Sequence, residues 1–337
     1  MALHAVDNVQ RALGVTREFL TPVDARRLSK LAVVAFFVGG GVSLPSVQFN
    51  ASAPSEGIPV NGFPDTLPGS FPADPLVIVA VLVGAGVLLG ALFAFVGAVM
   101  EFVLIESLRT GEVSIRRYWR RRWRQGFRLF VFRVAIGLPM LVGVLGWLVL
   151  VFVPLFTGRD PAIPFVAFLV GIPVLLVVGV VYGLVSGFTT SFVVPLMIRF
   201  DSGVIAAWRR LWRSITAAWR QYLAYAVIAF LLTVAVGLVA SIAVGLVAVV
   251  LAVPFVLVAM VTHVAVSLSS TVGIVVLVGL GLLFGVTMLA VWALAQVPVV
   301  TYLRYYALLV LGDVDESFDL VSDWRDAVDD RPSEGDG

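Results

Sequence analysis

The sequence has little of the chemistry that soluble enzymes and metalloproteins use. It contains no cysteine, two histidines and a single lysine, Lys30, among 337 residues. The lack of cysteine excludes disulfides, thiolate nucleophiles and cysteine metal sites. A Walker A loop is excluded because the lysine follows Ser29 rather than glycine. His263 has no carboxylate near it in sequence, and His4 is remote from it, so we expect no metal and no cofactor.

Charge is also scarce, because only 13% of the residues are charged and 60% are hydrophobic. Soluble globular proteins carry about a quarter charged residues. The formal net charge of +2 hides strong segregation: ten acids and two arginines lie between Asp313 and the end. Most of the arginines lie instead in clusters beside long apolar runs. This composition is typical of a membrane protein that ends in an acidic tail.

Two similar segments combine tryptophan and arginine, one running from Trp119 to Arg124 and the other from Trp208 to Arg213. At helical spacing the tryptophans fall on one side and most arginines on the other, with Arg122 on a flank. Indoles prefer the lipid headgroup layer and guanidinium groups bind anionic phosphates. We therefore predict two interfacial helices that bind lipid headgroups. The predicted headgroup residues are Trp119, Arg120, Arg121, Trp123, Arg124, Trp208, Arg209, Trp212, Arg213 and Trp219.

Two other interpretations fit the same segments. A solvated helix that packs on a soluble partner has the same pattern, and an arginine-rich helix can also bind nucleic acid. The position of both segments between long apolar runs favours the membrane interface.

Six apolar runs are candidates for membrane spans, which need about 20 residues each. The first, Leu31–Leu44, is short and follows Arg26, Arg27 and Lys30. The block from 222 to 301 is compatible with two long spans or three short ones. We predict two, because Arg220 and Arg304 flank the block and basic flanks stay on the same, inner side. The runs are Leu31–Leu44, Leu76–Met100, Phe127–Phe156, Phe165–Ile198, 222–256 and 272–302.

Residues 45–75 contain seven prolines and no basic residue, which predicts an outside loop. Asn50-Ala51-Ser52 is a possible N-glycosylation site in that loop. The first apolar run with Ala51-Ser52-Ala53 also fits the outline of a secretory signal peptide. The long, structured leader before it favours a retained span.

These patterns predict an all-α polytopic bundle of six spans with amphipathic interfacial helices and both ends in the cytoplasm. Three repeats of interfacial helix, span and span begin near residues 1, 111 and 203. The expected parts are an interfacial helix over 1–21, a membrane domain over 22–311 and a disordered acidic tail over 312–337. Within the membrane domain we expect interfacial helices at 112–126 and 203–220.

Three acidic or basic residues fall inside or at the edge of the spans. Arg133 lies within a predicted span, and Glu101 and Glu106 lie at a similar depth in the preceding one. Because a buried guanidinium is costly unless paired, we predict an Arg133–Glu101 or Arg133–Glu106 pair. The alternative is that all three side chains extend to the headgroups.

Gly179, Gly183 and Gly187 form a stripe at a spacing of four residues, which is typical of close helix packing. A ligand groove is the alternative interpretation of this stripe.

The Pro195–Trp219 stretch combines Pro-Leu-Met-Ile-Arg-Phe-Asp-Ser-Gly with Ala206-Ala207-Trp208 and an amphipathic helix. It resembles a membrane superfamily that includes the membrane domain attached to some glycerophosphodiester phosphodiesterases. The whole chain is similar to an uncharacterised family of haloarchaeal membrane proteins. The similarity is carried best by His4–Gly40 and Gln296–Asp313. The resemblance implies a fold and no catalytic residues.

We therefore expect a non-enzymatic cell-membrane protein that acts as a scaffold or lipid-interacting element. Its expected partners are anionic headgroups, with a basic protein for the acidic tail and no nucleic acid. The alternatives are a transporter or permease subunit and, less favoured by the residues, an intramembrane enzyme.

Overall fold

The computed structural model describes residues 4–21, 24–40, 75–157, 162–265 and 270–321, and these residues are almost entirely helical. The all-α prediction is confirmed for this part of the chain, where no strand occurs. The α-helices are α1 His4–Leu20, α2 Ala25–Gly40, α3 Pro75–Thr110, α4 Ile115–Thr157, α5 Ala162–Phe188, α6 Val194–Arg199, α7 Val204–Ala217, α8 Trp219–Ala265 and α9 Thr271–Val314. A π-helical turn, Thr189–Val193, joins α5 to α6, and a 3₁₀ turn, Glu316–Phe318, follows α9.

Five of the described segments are long and apolar enough to cross a membrane: Ala80–Thr110, Ile115–Thr157, Ala162–Arg199, Trp219–Thr262 and Val272–Val314. The block after residue 222 thus forms two helices, as the charge argument predicts. Helix α2 has 16 residues, fewer than the roughly 20 that a span needs. The rest of the expected first span, residues 41–44, lies outside the described residues, as do Asn50 and the 45–75 loop.

The long helices pack as neighbours in the series α5, α4, α3, α2, α9 and α8, and α1 packs on α9. Their buried side chains concentrate at one end, which we call the polar end. Its core includes Ala98–Leu108 of α3, Phe192–Ile198 of the π turn and α6, and Tyr305–Leu311 of α9. Away from the polar end the same helices expose apolar side chains, such as Val81, Val142, Val250 and Val275. Apolar surface on this scale is compatible with lipid as the surrounding solvent.

The two tryptophan-arginine segments differ in structure. The second forms a separate helix, α7, which ends at Ala218 before α8 begins. The first is the beginning of the uninterrupted helix α4, so it differs from the separate interfacial helix expected over 112–126. The reason is that α3 extends to Thr110 and gives α4 a packing partner over this whole stretch.

The N-terminal helix also differs from a helix lying free in the interface. The apolar face of α1 packs on α9, where Ala12, Val15 and Phe19 are buried. The Phe19 and Tyr305 rings meet edge to face at 5.8 Å between centroids. Asn8 donates a hydrogen bond to Asp313 at 2.7 Å, so α1 is tied to the end of α9.

The glycine stripe that we predicted for helix packing has a neighbour at one of its three positions. A Cβ at Gly179 would lie 3.8 Å from Met140, but at Gly183 and Gly187 it would meet no described atom within 4 Å. A closer contact lies at Gly126 of α4, where a Cβ would lie 2.9 Å from the Val99 Cα of α3. Close approach of α3 and α4 therefore depends on a missing side chain at Gly126.

We predict that Gly126→Ala lowers the melting temperature of the detergent-solubilised protein. The added methyl group overpacks the α3–α4 contact, which costs about 1–3 kcal/mol. The matched control is Gly143→Ala in the same helix, where the new methyl group meets open space. A Gly126→Ala protein with the same melting temperature as the Gly143→Ala control would contradict the close α3–α4 packing.

Candidate functional site at the polar end

Two carboxylates of α3, Glu101 and Glu106, lie in the core of the polar end and are buried. Their neighbours along α3 from Ala98 to Leu108 are buried as well. A carboxylate in such surroundings is stable only if it is paired and hydrogen-bonded. Each of the two is the centre of its own network.

Glu101 holds two arginines from two other helices. Its Oε1 accepts a hydrogen bond from Arg133 Nη2 of α4 at 3.1 Å, and its Oε2 accepts one from Arg304 Nη2 of α9. Both arginines also donate to Thr190, Arg133 to its hydroxyl at 2.8 Å and Arg304 to its carbonyl at 2.9 Å. This network, which we call the Glu101 cluster, joins α3, α4, α9 and the π turn and has one positive charge in excess.

The π turn explains how Thr190 reaches the cluster. Pro195 follows the turn and has no N–H to donate to the carbonyl four residues earlier, so the regular pattern of α-helical hydrogen bonds is interrupted at this point. The widened turn keeps Thr189 buried, and Thr189 Oγ1 accepts a hydrogen bond from the Trp208 indole at 3.1 Å. The turn therefore also fixes α7 against the core.

Glu106 forms the second network, the Glu106 cluster. Its Oε1 accepts hydrogen bonds from Arg122 Nε at 2.9 Å and Nη2 at 2.7 Å. Arg122 Nη1 also donates to Gln125 at 3.0 Å and to Asp201 at 3.2 Å. Gln125 in turn donates to Asp201 Oδ1 at 2.9 Å and to the Met197 carbonyl at 3.3 Å.

Asp201 is held in an unusual conformation, with a φ of 45° in the left-handed region. Aspartate tolerates this region better than most residues. Its carboxylate links the loop between α6 and α7 to α4, and it gives the Glu106 cluster one negative charge in excess.

The structure thus places Arg133 beside Glu101 and not beside Glu106. Sequence reasoning missed Arg122, which it placed on a flank of the first segment, and Arg304, which it used only as a basic flank. A signal for Arg122 was present, because Tyr118, Arg122, Gln125 and Leu129 follow helical spacing and are all buried.

Most of the predicted headgroup residues lie on the surface of the polar end. Trp119 and Trp208 are the exceptions, since both are half-buried, with Trp119 against Phe95 at 6.2 Å between ring centroids. The exposed members are Arg120, Arg121, Trp123, Arg124, Arg209, Trp212, Arg213 and Trp219. The polar end therefore combines a buried ion-paired interior with an exterior of arginine and indole.

Within the ranges that the structure describes, no group of three or more histidine, aspartate and glutamate side chains could hold a metal ion. The two clusters fix helices to one another through ion pairs and hydrogen bonds.

A family model described as Family of unknown function (DUF7544) matches residues 3–321, nearly the whole chain. Neither the curated proteins nor the solved structures contain a match to the sequence.

We predict that Arg304→Leu destabilises the protein more than Arg133→Leu. The Arg304 side chain is 10% exposed and bonds a backbone carbonyl, whereas that of Arg133 is 27% exposed. Removing one partner of a buried pair costs about 3–5 kcal/mol, and we expect Arg304→Leu in that range with Arg133→Leu below it. Thermal melting in detergent measures both.

Arg117→Leu is the matched control, because Arg117 pairs with Glu112 at 3.7 Å on the surface with both side chains largely exposed. Exposed pairs contribute about 0–1 kcal/mol. Equal melting temperatures for the three variants would show that the Glu101 cluster contributes no more than a surface pair.

Proposed function

The chain belongs to the family of unknown function DUF7544, and we propose that it is a non-enzymatic, six-span integral membrane protein that acts as a lipid-interacting scaffold. Both ends would lie in the cytoplasm, in a cell membrane rich in anionic lipid. The observation that carries this proposal is the division of the long helices into a buried, ion-paired polar end and apolar, exposed remainders.

A scaffold needs a rigid part, and the two clusters supply it. The Glu101 cluster fixes α3, α4 and α9 to one another, and the Glu106 cluster fixes α3 and α4 to the α6–α7 loop. Each charged group in these clusters contacts protein partners, as fixed framework charges do. We therefore assign both clusters to architecture rather than to reaction chemistry.

A lipid-interacting element needs a charged and amphipathic exterior at headgroup depth. The exposed arginines and indoles of α7 and of the beginning of α4 have that composition, and each cation near an anionic surface contributes about 1 kcal/mol. These residues adjoin exposed apolar side chains such as Phe127 and Leu223, where the lipid-facing part of the helices begins. The acidic tail beyond Val321 would stay in the cytoplasm, available to a basic protein partner.

The direction of the helices at the polar end supports the six-span topology. Helices α2, α4 and α8 begin at this end, and α3, α6 and α9 end at it. This gives three pairs of antiparallel spans if α2 continues to Leu44. The repeat of interfacial helix and two spans, and the resemblance to haloarchaeal proteins and to the membrane domain of glycerophosphodiester phosphodiesterases, belong to this proposal.

A transporter is the second candidate, and one observation favours it. The Thr189–Val193 π turn lies beside the buried Arg304 and the partly buried Arg133, and π turns are frequent at functional sites. A transport path would require water to reach the apolar part of the helices near Gly183.

Cysteine labelling tests the topology, because the sequence has no native cysteine. We predict that an impermeant thiol reagent applied to intact cells labels Ser55→Cys, Gly158→Cys and Ser269→Cys, and leaves Glu112→Cys, Gly203→Cys and Ser317→Cys unlabelled. Glu112 is used rather than Gly111, whose φ of 71° favours glycine. Labelling of all six after permeabilisation is the control.

Labelling of Glu112→Cys or Gly203→Cys in intact cells would contradict the proposed sidedness. A Gly183→Cys protein in the same series separates the two candidate functions. If the protein is a scaffold, the cysteine at position 183 faces lipid and does not react. If a transport path passes there, the cysteine reacts with the water-soluble reagent.

A further inference from the structure

We propose that two concavities meeting at Ser114 form a binding site for a group that carries two phosphates, supplied by a lipid headgroup. The inference rests on the proposed lipid interaction and gives it a defined site. We call this site the basic cradle. It adds residues of α2 to a surface that the sequence pattern placed on α4 and α7 alone.

The cradle is built from the beginnings of two helices and the turn between α3 and α4. One concavity of 640 Å³ is lined by Ser114 and four arginines of α4: Arg116, Arg117, Arg120 and Arg121. The other, of 330 Å³, lies between the turn at 111–114 and the beginning of α2, with Arg26, Arg27 and Lys30. Both share Ser114, so a ligand bound there contacts α2 and α4 together.

The charge balance of the cradle indicates the class of ligand. Seven cations line it against two carboxylates, Asp24 and Glu112, which leaves an excess of five positive charges. A single phosphodiester offsets one of them, whereas a headgroup with two phosphates offsets at least two and spans both concavities. Like charges this close repel one another, so a multivalent anion stabilises the arrangement more than a monovalent one.

Two further features make the cradle short of negative charge. Helix α4 has no acidic residue in its first turn, so the positive end of its dipole adds to the cations, whereas α2 is capped by Asp24, whose Oδ1 accepts a hydrogen bond from the Arg26 N–H at 3.1 Å. Arg27 lies with its guanidinium carbon 4.5 Å from the Phe19 ring centroid, and its buried Nε has no hydrogen-bond acceptor within the described residues.

The position of the cradle favours a lipid over a soluble anion. Helix α2 leaves it toward Val33, which is exposed, and α4 leaves it toward the exposed apolar stretch that begins at Phe127. A headgroup in the cradle would therefore have its acyl chains beside apolar helix surfaces.

The test uses the full-length protein in a nonionic detergent with three probes: cardiolipin, which has two phosphates, phosphatidylglycerol, which has one, and inorganic pyrophosphate. The melting temperature is followed against probe concentration, and native mass spectrometry counts the bound lipid. We expect cardiolipin to bind more tightly than phosphatidylglycerol. In Arg26→Gln/Lys30→Gln we expect its affinity to fall roughly 30-fold, at roughly 1 kcal/mol for each cation removed.

The matched control is Arg199→Gln/Arg220→Gln, which also removes two exposed cations, one at the end of α6 and one near the beginning of α8, and neither is among the predicted headgroup residues. We expect its cardiolipin affinity to change by less than about 3-fold, because neither residue lines the cradle. Equal losses in the two double variants would overturn the cradle while leaving general lipid binding in place. A wild-type protein that neither an anionic lipid nor pyrophosphate stabilises would overturn both proposals.

Stabilisation by pyrophosphate without lipid, lost in Arg26→Gln/Lys30→Gln, supports the cradle and assigns its occupant to a soluble diphosphate. Melting of each variant without probe shows that it folds, so a lost response reports the site rather than the fold.

Discussion

The buried carboxylate of Glu101 sets the geometry of the polar end. Removing a charge from water costs several kcal/mol, and this cost is offset only when partners approach with good hydrogen-bond geometry. Arg133 and Arg304 meet that requirement from two different helices, and Thr190 accepts the remaining hydrogen bonds from both. The relative positions of α3, α4, α9 and the π turn are thereby fixed by a single side chain.

The second carboxylate of α3 extends the same principle. Glu106 lies five residues further along α3 and pairs with Arg122, which in turn holds the loop between α6 and α7 through Asp201. The excess charges of the two clusters are opposite, and the extra carboxylate of the Glu106 cluster, Asp201, lies at the surface, where its side chain is 87% exposed. The positive charge that is not balanced lies on the surface, in the arginines of α4, α7 and the beginning of α2. A buried interior of paired charges and a cationic exterior are what a membrane scaffold with anionic lipid around it requires.

Much of this architecture could be predicted, because the sequence shows directly where the apolar runs lie and how far inside them the charged residues are. The depth of Arg133 and Glu101 indicated their proximity, and the basic flanks at Arg220 and Arg304 indicated two helices between them. The role of Arg304 could not be predicted, since contacts between α3 and α9 depend on tertiary packing. The continuity of α4 was missed because its tryptophan-arginine segment has the pattern of a separate interfacial helix. Its packing on the end of α3 is a tertiary contact, which the local pattern of residues does not indicate. The π turn has no clear sequence signature beyond Pro195.

A double-mutant cycle between Glu101 and Arg304 tests the central claim most directly. Unfolding free energies are measured for the wild type, Glu101→Gln, Arg304→Gln and the double variant in the same detergent. If the pair organises the polar end, the double variant is much less destabilised than the sum of the single ones, with a coupling energy of about 1–3 kcal/mol. Additive effects of the two substitutions would show that Glu101 does not hold α9, and would contradict the account.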